Sequence, residues 1–113
     1  MSDCLFCRIV AGQIPSKLEY QDEQVVAFRD INPQAPTHIL VIPRKHIAKI
    51  ADVTAVDLPL VGACIQAANQ IAVREKLEAG YRLVINNGAQ AGQTVWHIHW
   101  HLLGGRNLGW PPG

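Results

Sequence analysis

An α+β domain on a largely antiparallel sheet is the fold class this sequence predicts, and three patterns predict it. Near the C-terminus His97, His99 and His101 alternate with Ile98, Trp100 and Leu102. That is the period of two of an extended strand, with one imidazole face and one apolar face; a helix would turn His99 away from the other two. From about Val56 to Leu77, apolar Leu60, Cys64, Ala67, Ala68 and Ile71 recur at helical spacing, giving one long helix. Elsewhere short apolar runs lie between Pro, Gly, Asn and Asp, the punctuation of strands and turns. The 113 residues, 49% hydrophobic and 17% charged, suit a single domain over 1–113 with its own core.

Taken in order, Cys4 to Gly12 reads as a short helix with Phe6, Ile9 and Val10 apolar, ended by Gly12 and Ile14-Pro15. Lys17–Gln21 and Val25–Arg29 flank Asp22-Glu23 as a hairpin. Asn32-Pro33 and Ala35-Pro36 make a stiff loop before a strand over His38–Ile42, bounded by Pro43 and followed by the turn Arg44-Lys45-His46. Thr54 or Asp57 is placed to cap the long helix, Pro59 falls in its first turn, and Gly80 is the expected C-cap. Tyr81–Asn86 returns as a strand, and a polar loop through Gly88, Gly92, Gln93 and Thr94 leads into the histidine run. The tail from Gly104 to Gly113 is irregular, and its Trp110 needs something to pack on. The layout is a meander of about five strands with one long and one short helix.

A net charge of +1 with scattered basic residues shows neither a nucleic-acid stripe nor a polybasic membrane anchor. Met1-Ser2-Asp3-Cys4 lacks a basic n-region leading into an apolar h-region, and no membrane helix of ~20 apolar residues is expected, so a cytoplasmic protein is expected. Three cysteines, an odd number, argue against a disulfide framework. Cys4 and Cys7, with two residues between them, read as metal binding or redox chemistry, and Cys64 as core.

Imidazoles two apart on a strand stand ~7 Å apart and can converge on a group of phosphate size or on a metal. A neutral imidazole is a nucleophile, its protonated form an acid and a cation, so together they suffice for phosphoryl or nucleotidyl transfer. Gly88 and Gly92 permit close backbone approach to an anion, and the amides of Gln93 and Thr94 with the Thr94 hydroxyl are candidate phosphate ligands. The same three histidines with a water also match a catalytic zinc, which leaves a zinc-dependent hydrolase as an alternative. A nucleotide-binding regulatory dimer with little turnover is another.

His97-Ile98-His99-Trp100-His101-Leu102-Leu103 resembles the signature of the histidine triad family. Phe28 through His38, Gly92-Gln93-Thr94, Gly104-Gly105-Arg106 and Trp110-Pro111-Pro112-Gly113 resemble its Hint branch, so the likeness runs from about Leu5 to the end. The resemblance implies a HIT-like fold whose sheet continues across a homodimer. It implies a purine nucleoside phosphoramidase that cleaves the P–N bond of AMP-amine or AMP-lysine type conjugates through a nucleotidyl-histidine and releases the nucleoside monophosphate. By that resemblance His99 is the nucleophile and His101 and His38 flank it. Gln93 and Thr94 hold phosphate beside Asn86, and Asp30 binds the ribose hydroxyls. Phe6, Ile9, Ile14, Phe28, Ile31 and Leu40 line the base pocket, and Trp110 reaches the neighbouring subunit's site. Bacterial members of the family complete a structural zinc site at positions matching Cys4, Cys7, His46 and His97; no organic cofactor is implied. His101 stands where the transferase branch has glutamine, which favours hydrolysis. Trp100 is bulkier than the small aliphatic residue expected there and should alter packing alone, while Thr94 stands for a serine.

Overall fold

The structure, a computed structural model, describes residues 3–113; Met1 and Ser2, part of the leader reading, lie outside the described residues. The short helix α1 (Leu5–Val10) precedes a hairpin of β1 (Leu18–Gln21) and β2 (Val25–Arg29), then β3 (Thr37–Pro43). The long helix α2 (Leu58–Arg74) connects to β4 (Tyr81–Val84), and β5 (Trp100–Gly104) ends the regular structure. All pairings are antiparallel, but the strand order is β1-β2-β3-β5-β4, so the sheet is not a simple meander. The α2 crossover carries β4 to the edge, and β5 folds back into the gap beside β3. That insertion places the histidines next to His38.

Period two divides the core. Ile39, Val41, Ile98, Trp100 and Leu102 face α2 and pack with Cys64, Ala67, Ala68 and Ile71. Leu40, Ile42, Val26 and Phe28 face the other way and pack with Phe6 of α1, half-buried Ile9 and Val10 against them. β3 is thus buried on both faces, which fits its unbroken apolar run. Trp100 lies on the α2 face, away from the imidazoles, as expected. Burial pushes the Cys64 thiol up to about 12, so it stays protonated in the core.

Four local expectations are corrected. Asp57 sits at the N-cap of α2 without a side-chain capping bond, because its carboxylate accepts from Lys45 Nζ at 2.6 Å. Helix α2 ends at Arg74, and Lys76 takes the left-handed turn (φ 61°) well before Gly80. Residues Ala55–Arg74, with a mean hydropathy of 1.3, are long and apolar enough to cross a membrane, contrary to the composition reading; in this fold their buried residues cover the sheet. The histidine strand begins only at Trp100, leaving His97 in a bend. The ladder stops there because Pro43 on β3 has no N–H, and its carbonyl instead accepts from His97 Nε2 at 2.7 Å. Ile98 N–H, donating to Ile47 O at 2.8 Å, keeps the approach close enough for alternation to survive.

Candidate active site

The β3–β5 register sets His38 opposite Leu103 and Leu40 opposite His101. Opposed residues share a face, so His38 and His101 are diagonal neighbours on the α1 side. His38 Nε2 lies 2.9 Å from His101 Nδ1 and 3.4 Å from Asp30 Oδ2. The Gln34 backbone N–H donates to His38 Nδ1 at 3.0 Å. A backbone amide only donates, so in neutral His38 the proton sits on Nε2 and points at His101 Nδ1. The remaining proton of His101 is therefore on Nε2. His99 has the reverse tautomer: its Nδ1–H donates to the His97 carbonyl at 2.8 Å, leaving the Nε2 lone pair bare. The rings of His99 and His101 are 5.0 Å apart, and Phe6 meets the His99 ring edge-on at 5.0 Å. One imidazole thus presents a lone pair and its neighbour a proton.

Burial is the main cause that lowers the pKa of all three. In His99 the His97 carbonyl works against it, and in His38 Asp30 does. His101 falls to about 4 through burial, then through His99 and His38, with Asp30 opposing. All three are neutral at pH 7, the state a nucleophilic imidazole requires.

His97 faces a different set. Its Nδ1 lies 3.4 Å from Cys4 Sγ and 3.5 Å from Cys7 Sγ, and His46 Nδ1 lies 3.3 Å from Cys7 Sγ. Bond lengths of ~2.3 Å to sulfur and ~2.05 Å to nitrogen place neighbouring S and N ligands of tetrahedral zinc about 3.6 Å apart, close to these separations. The four donor atoms lie within 4.8 Å of one another. The Nε2–H bond to Pro43 fixes the tautomer that leaves His97 Nδ1 free to coordinate, the outer-shell arrangement usual for a ligating histidine. Burial lowers His97 to about 4, so proton competition there is weak. The residues present fit a zinc ion. Asp30, His38 and His101 form a second close group, but there the two imidazole nitrogens share a hydrogen bond with each other.

The other predicted residues divide. Phe6, Phe28 and Leu40 are buried together with half-buried Ile9 beside them, and Ile14 is half-buried. Ile31 is fully exposed and Trp110 82% exposed, so within this chain neither lines an enclosed pocket; both sit on irregular segments with no apolar layer above them. Gln93 is buried with its functional groups committed: Oε1 accepts from Gly88 N, Nε2 donates to Ala48 O and Val95 O, and its own N–H donates to Gly88 O. It fastens the loop rather than offering a phosphate donor. Thr94 is exposed and Asn86 half-buried. Asp30 accepts from Asn32 N–H at 2.8 Å through Oδ1, which leaves Oδ2 toward His38. Sequence reading missed the main-chain groups of Gln34, Pro43 and His97 that set the tautomers. They act through backbone atoms, which no residue type advertises.

The family model of the HIT domain matches residues 11–108. The chain belongs to the HIT domain family. It is 50% identical over 111 residues to an uncharacterized HIT-like protein of Synechococcus elongatus, covering 98% of this chain and 97% of that one. It is 48% identical over 114 residues to the 14 kDa zinc-binding protein of Zea mays, covering 99% and 89%. The crystal structure of a HIT family hydrolase from Legionella pneumophila Philadelphia 1 superposes with a TM-score of 0.96 at 53% identity, covering 97% of this chain and 99% of that one.

Proposed function

We propose that this HIT protein is a hydrolase of the Hint type, a purine nucleoside phosphoramidase acting through a nucleotidyl-histidine. The observation that carries the reading is the opposed tautomers of adjacent His99 and His101. The His99 Nε2 lone pair attacks the α-phosphorus of an AMP-amine conjugate, and the P–N bond breaks as the leaving amine takes the Nε2 proton of a His101 that has been protonated on binding the phosphate, which leaves His101 neutral. Water, giving its proton back through His101, then attacks the same phosphorus and releases AMP and free His99. The buried Phe6, Phe28 and Leu40 cluster, with Ile9 beside it, offers the base an apolar wall, and Asp30 offers the ribose a carboxylate.

In this reading Cys4, Cys7, His46 and His97 hold zinc. A closed set of two thiolates and two imidazoles supplies structure and no reactive water. The zinc-binding description of the maize relative supports it. The zinc therefore ties α1, the turn after β3 and the start of the histidine run into one unit, and catalysis proceeds on His99 and His101.

The reading includes a homodimer. β4 is a sheet edge, Ile65 and Val73 are exposed large apolar residues of α2, and Tyr81 on β4 donates to Asn69 between them at 2.6 Å. Edge and apolar stripe are thus adjacent, which suits pairing of two sheets across a two-fold axis. Exposed Trp110 then has a partner subunit to meet.

A fluorogenic adenosine 5′-phosphoramidate tests the activity. Wild type should turn it over, and His99→Ala should lose at least about 10³-fold in kcat, since the nucleophile itself is gone. Equal rates in the two proteins remove His99 from the chemistry.

A further inference from the structure

We propose that Arg106 is a positioning residue for the His101 proton, acting through the main chain of Gln34 and the imidazole of His38. The inference rests on the reading of His101 as proton donor. Arg106 Nε–H donates to the Gln34 carbonyl at 3.0 Å, while Nη1 donates to Asn107 O at 2.9 Å. The N–H of the same Gln34 donates to His38 Nδ1, and His38 Nε2–H donates to His101 Nδ1. One line of bonds therefore runs from a surface guanidinium to the atom that must stay unprotonated for neutral His101 to hold its proton on Nε2.

Gly105 shows that the tail is built to make this contact. It has φ +92°, and a Cβ there would lie 2.9 Å from Pro36 Cβ. Only glycine lets the chain turn against Pro36 and bring Arg106 to Gln34. The loop needs such a clamp, because Gln34 is exposed and its side chain reaches only Asn32 O, at 3.0 Å. A permanently charged guanidinium on a carbonyl is a strong form of tether. Without it the Gln34 N–H drifts, and His38 becomes free to carry its proton on Nδ1. His38 Nε2 then accepts a proton from His101 Nδ1, and His101 Nε2 is left bare. Asp30 Oδ2, 3.4 Å from His38 Nε2, pulls toward the working tautomer, so losing Arg106 gives a mixture of tautomers.

The test uses the full chain, ¹⁵N-labelled, and reads the imidazole nitrogens of His38 and His101 by long-range ¹H–¹⁵N correlation. Wild type should show both residues protonated on Nε2. Arg106→Ala should show mixed tautomers at His38 and His101, with the backbone amide spectrum of β2, β3 and α2 unchanged. Turnover of an adenosine phosphoramidate should lose about fivefold in kcat with KM within about twofold, a fraction of the ~10²–10⁴ a positioned proton transfer supplies. Arg106→Lys, with one donor on a flexible stem, should recover part of both signals. Unchanged imidazole nitrogens in Arg106→Ala overturn the inference, and so does a changed spectrum with an unchanged kcat. If wild type fails to turn over the phosphoramidate, the reading of the reaction falls, while the spectra still decide whether Arg106 sets the tautomers.

Discussion

Binding of a nucleotide anion at the histidine cluster should draw protons from solvent, and His101 is among the groups that take them. In the protein alone, burial, then His99 and His38, hold its pKa down to about 4, with Asp30 opposing. The His99 and His38 rings face it at 5.0 and 5.2 Å. An anion beside these rings favours the charged imidazole and raises its pKa by about 1–3 units. The bound state then has the higher pKa, so affinity rises as pH falls through the bound value and levels off below about 4, where both states are protonated. At pH 6 a group with a pKa of about 4 is about 1% protonated, and a ~2-unit rise leaves it about half protonated, an uptake of about 0.5 proton per site. Adenosine 5′-sulfate is the suitable ligand, because its single charge does not titrate in this range. Calorimetric titrations in two buffers of different ionisation enthalpy count the protons. His101→Gln keeps a donor but cannot titrate, and its uptake should fall by about 0.5 proton per site relative to wild type. Negligible uptake by wild type, or undiminished uptake by His101→Gln, refutes the reasoning. The same effect means that the substrate's own phosphate turns His101 into an acid when an amine is ready to leave.

Two further outcomes follow from the geometry. Cys7→Ser should cut zinc, measured by atomic absorption on the purified full chain, from about one per chain to below about 0.2, since one thiolate of a closed four-ligand set is gone; an unchanged content removes Cys7 from the ligands. Gly104→Ala would set a Cβ 2.7 Å from Leu77 Cδ1 and 2.8 Å from Cδ2. Overpacking of this kind costs about 1–3 kcal/mol, and at about 4 °C per kcal/mol the unfolding midpoint at fixed protein concentration should fall by at least ~4 °C. A midpoint within about 1 °C of wild type would mean that Leu77 swings aside at little cost.

Periodicity made most of the fold legible. The hairpin and β3 follow from short apolar runs between turn residues and prolines, and α2 and the two-faced histidine run from spacings of three to four and of two, which burial on one side of an element forces on the sequence. The failures are of another kind. The strand order depends on which gap β5 enters, and that is settled by the crossover of α2 over the sheet, a contact between segments distant in sequence. Asp57 lost its capping role to Lys45, twelve residues away in sequence, whose ammonium competes for the same carboxylate. Lys76 took the helix-ending turn expected at Gly80 because α2 ends where Arg74 and Glu75 meet the hairpin, Arg74 bonding Glu19 and Glu75 bonding Arg29. In each case a partner from elsewhere in the fold outweighed a local preference.

The site shows where residue type stops carrying information. His97, His99 and His101 are the same residue at one spacing, and the alternation that reveals them as a set cannot rank them. Their differences come from the second nitrogen of each ring. His97 Nε2 meets the Pro43 carbonyl, which turns Nδ1 toward the thiols; His99 Nδ1 meets the His97 carbonyl, which bares Nε2; His101 Nδ1 meets His38, which puts the proton on Nε2. Two of these three partners are main-chain carbonyls, and the third is oriented by a main-chain N–H. Pro43 is the instructive case. Because proline ends the β3 ladder, its carbonyl is free for an imidazole, and the interruption that shortens the strand also assigns His97 to the cysteines. A local defect in the sheet thus divides three equivalent histidines between a metal set and a reacting pair.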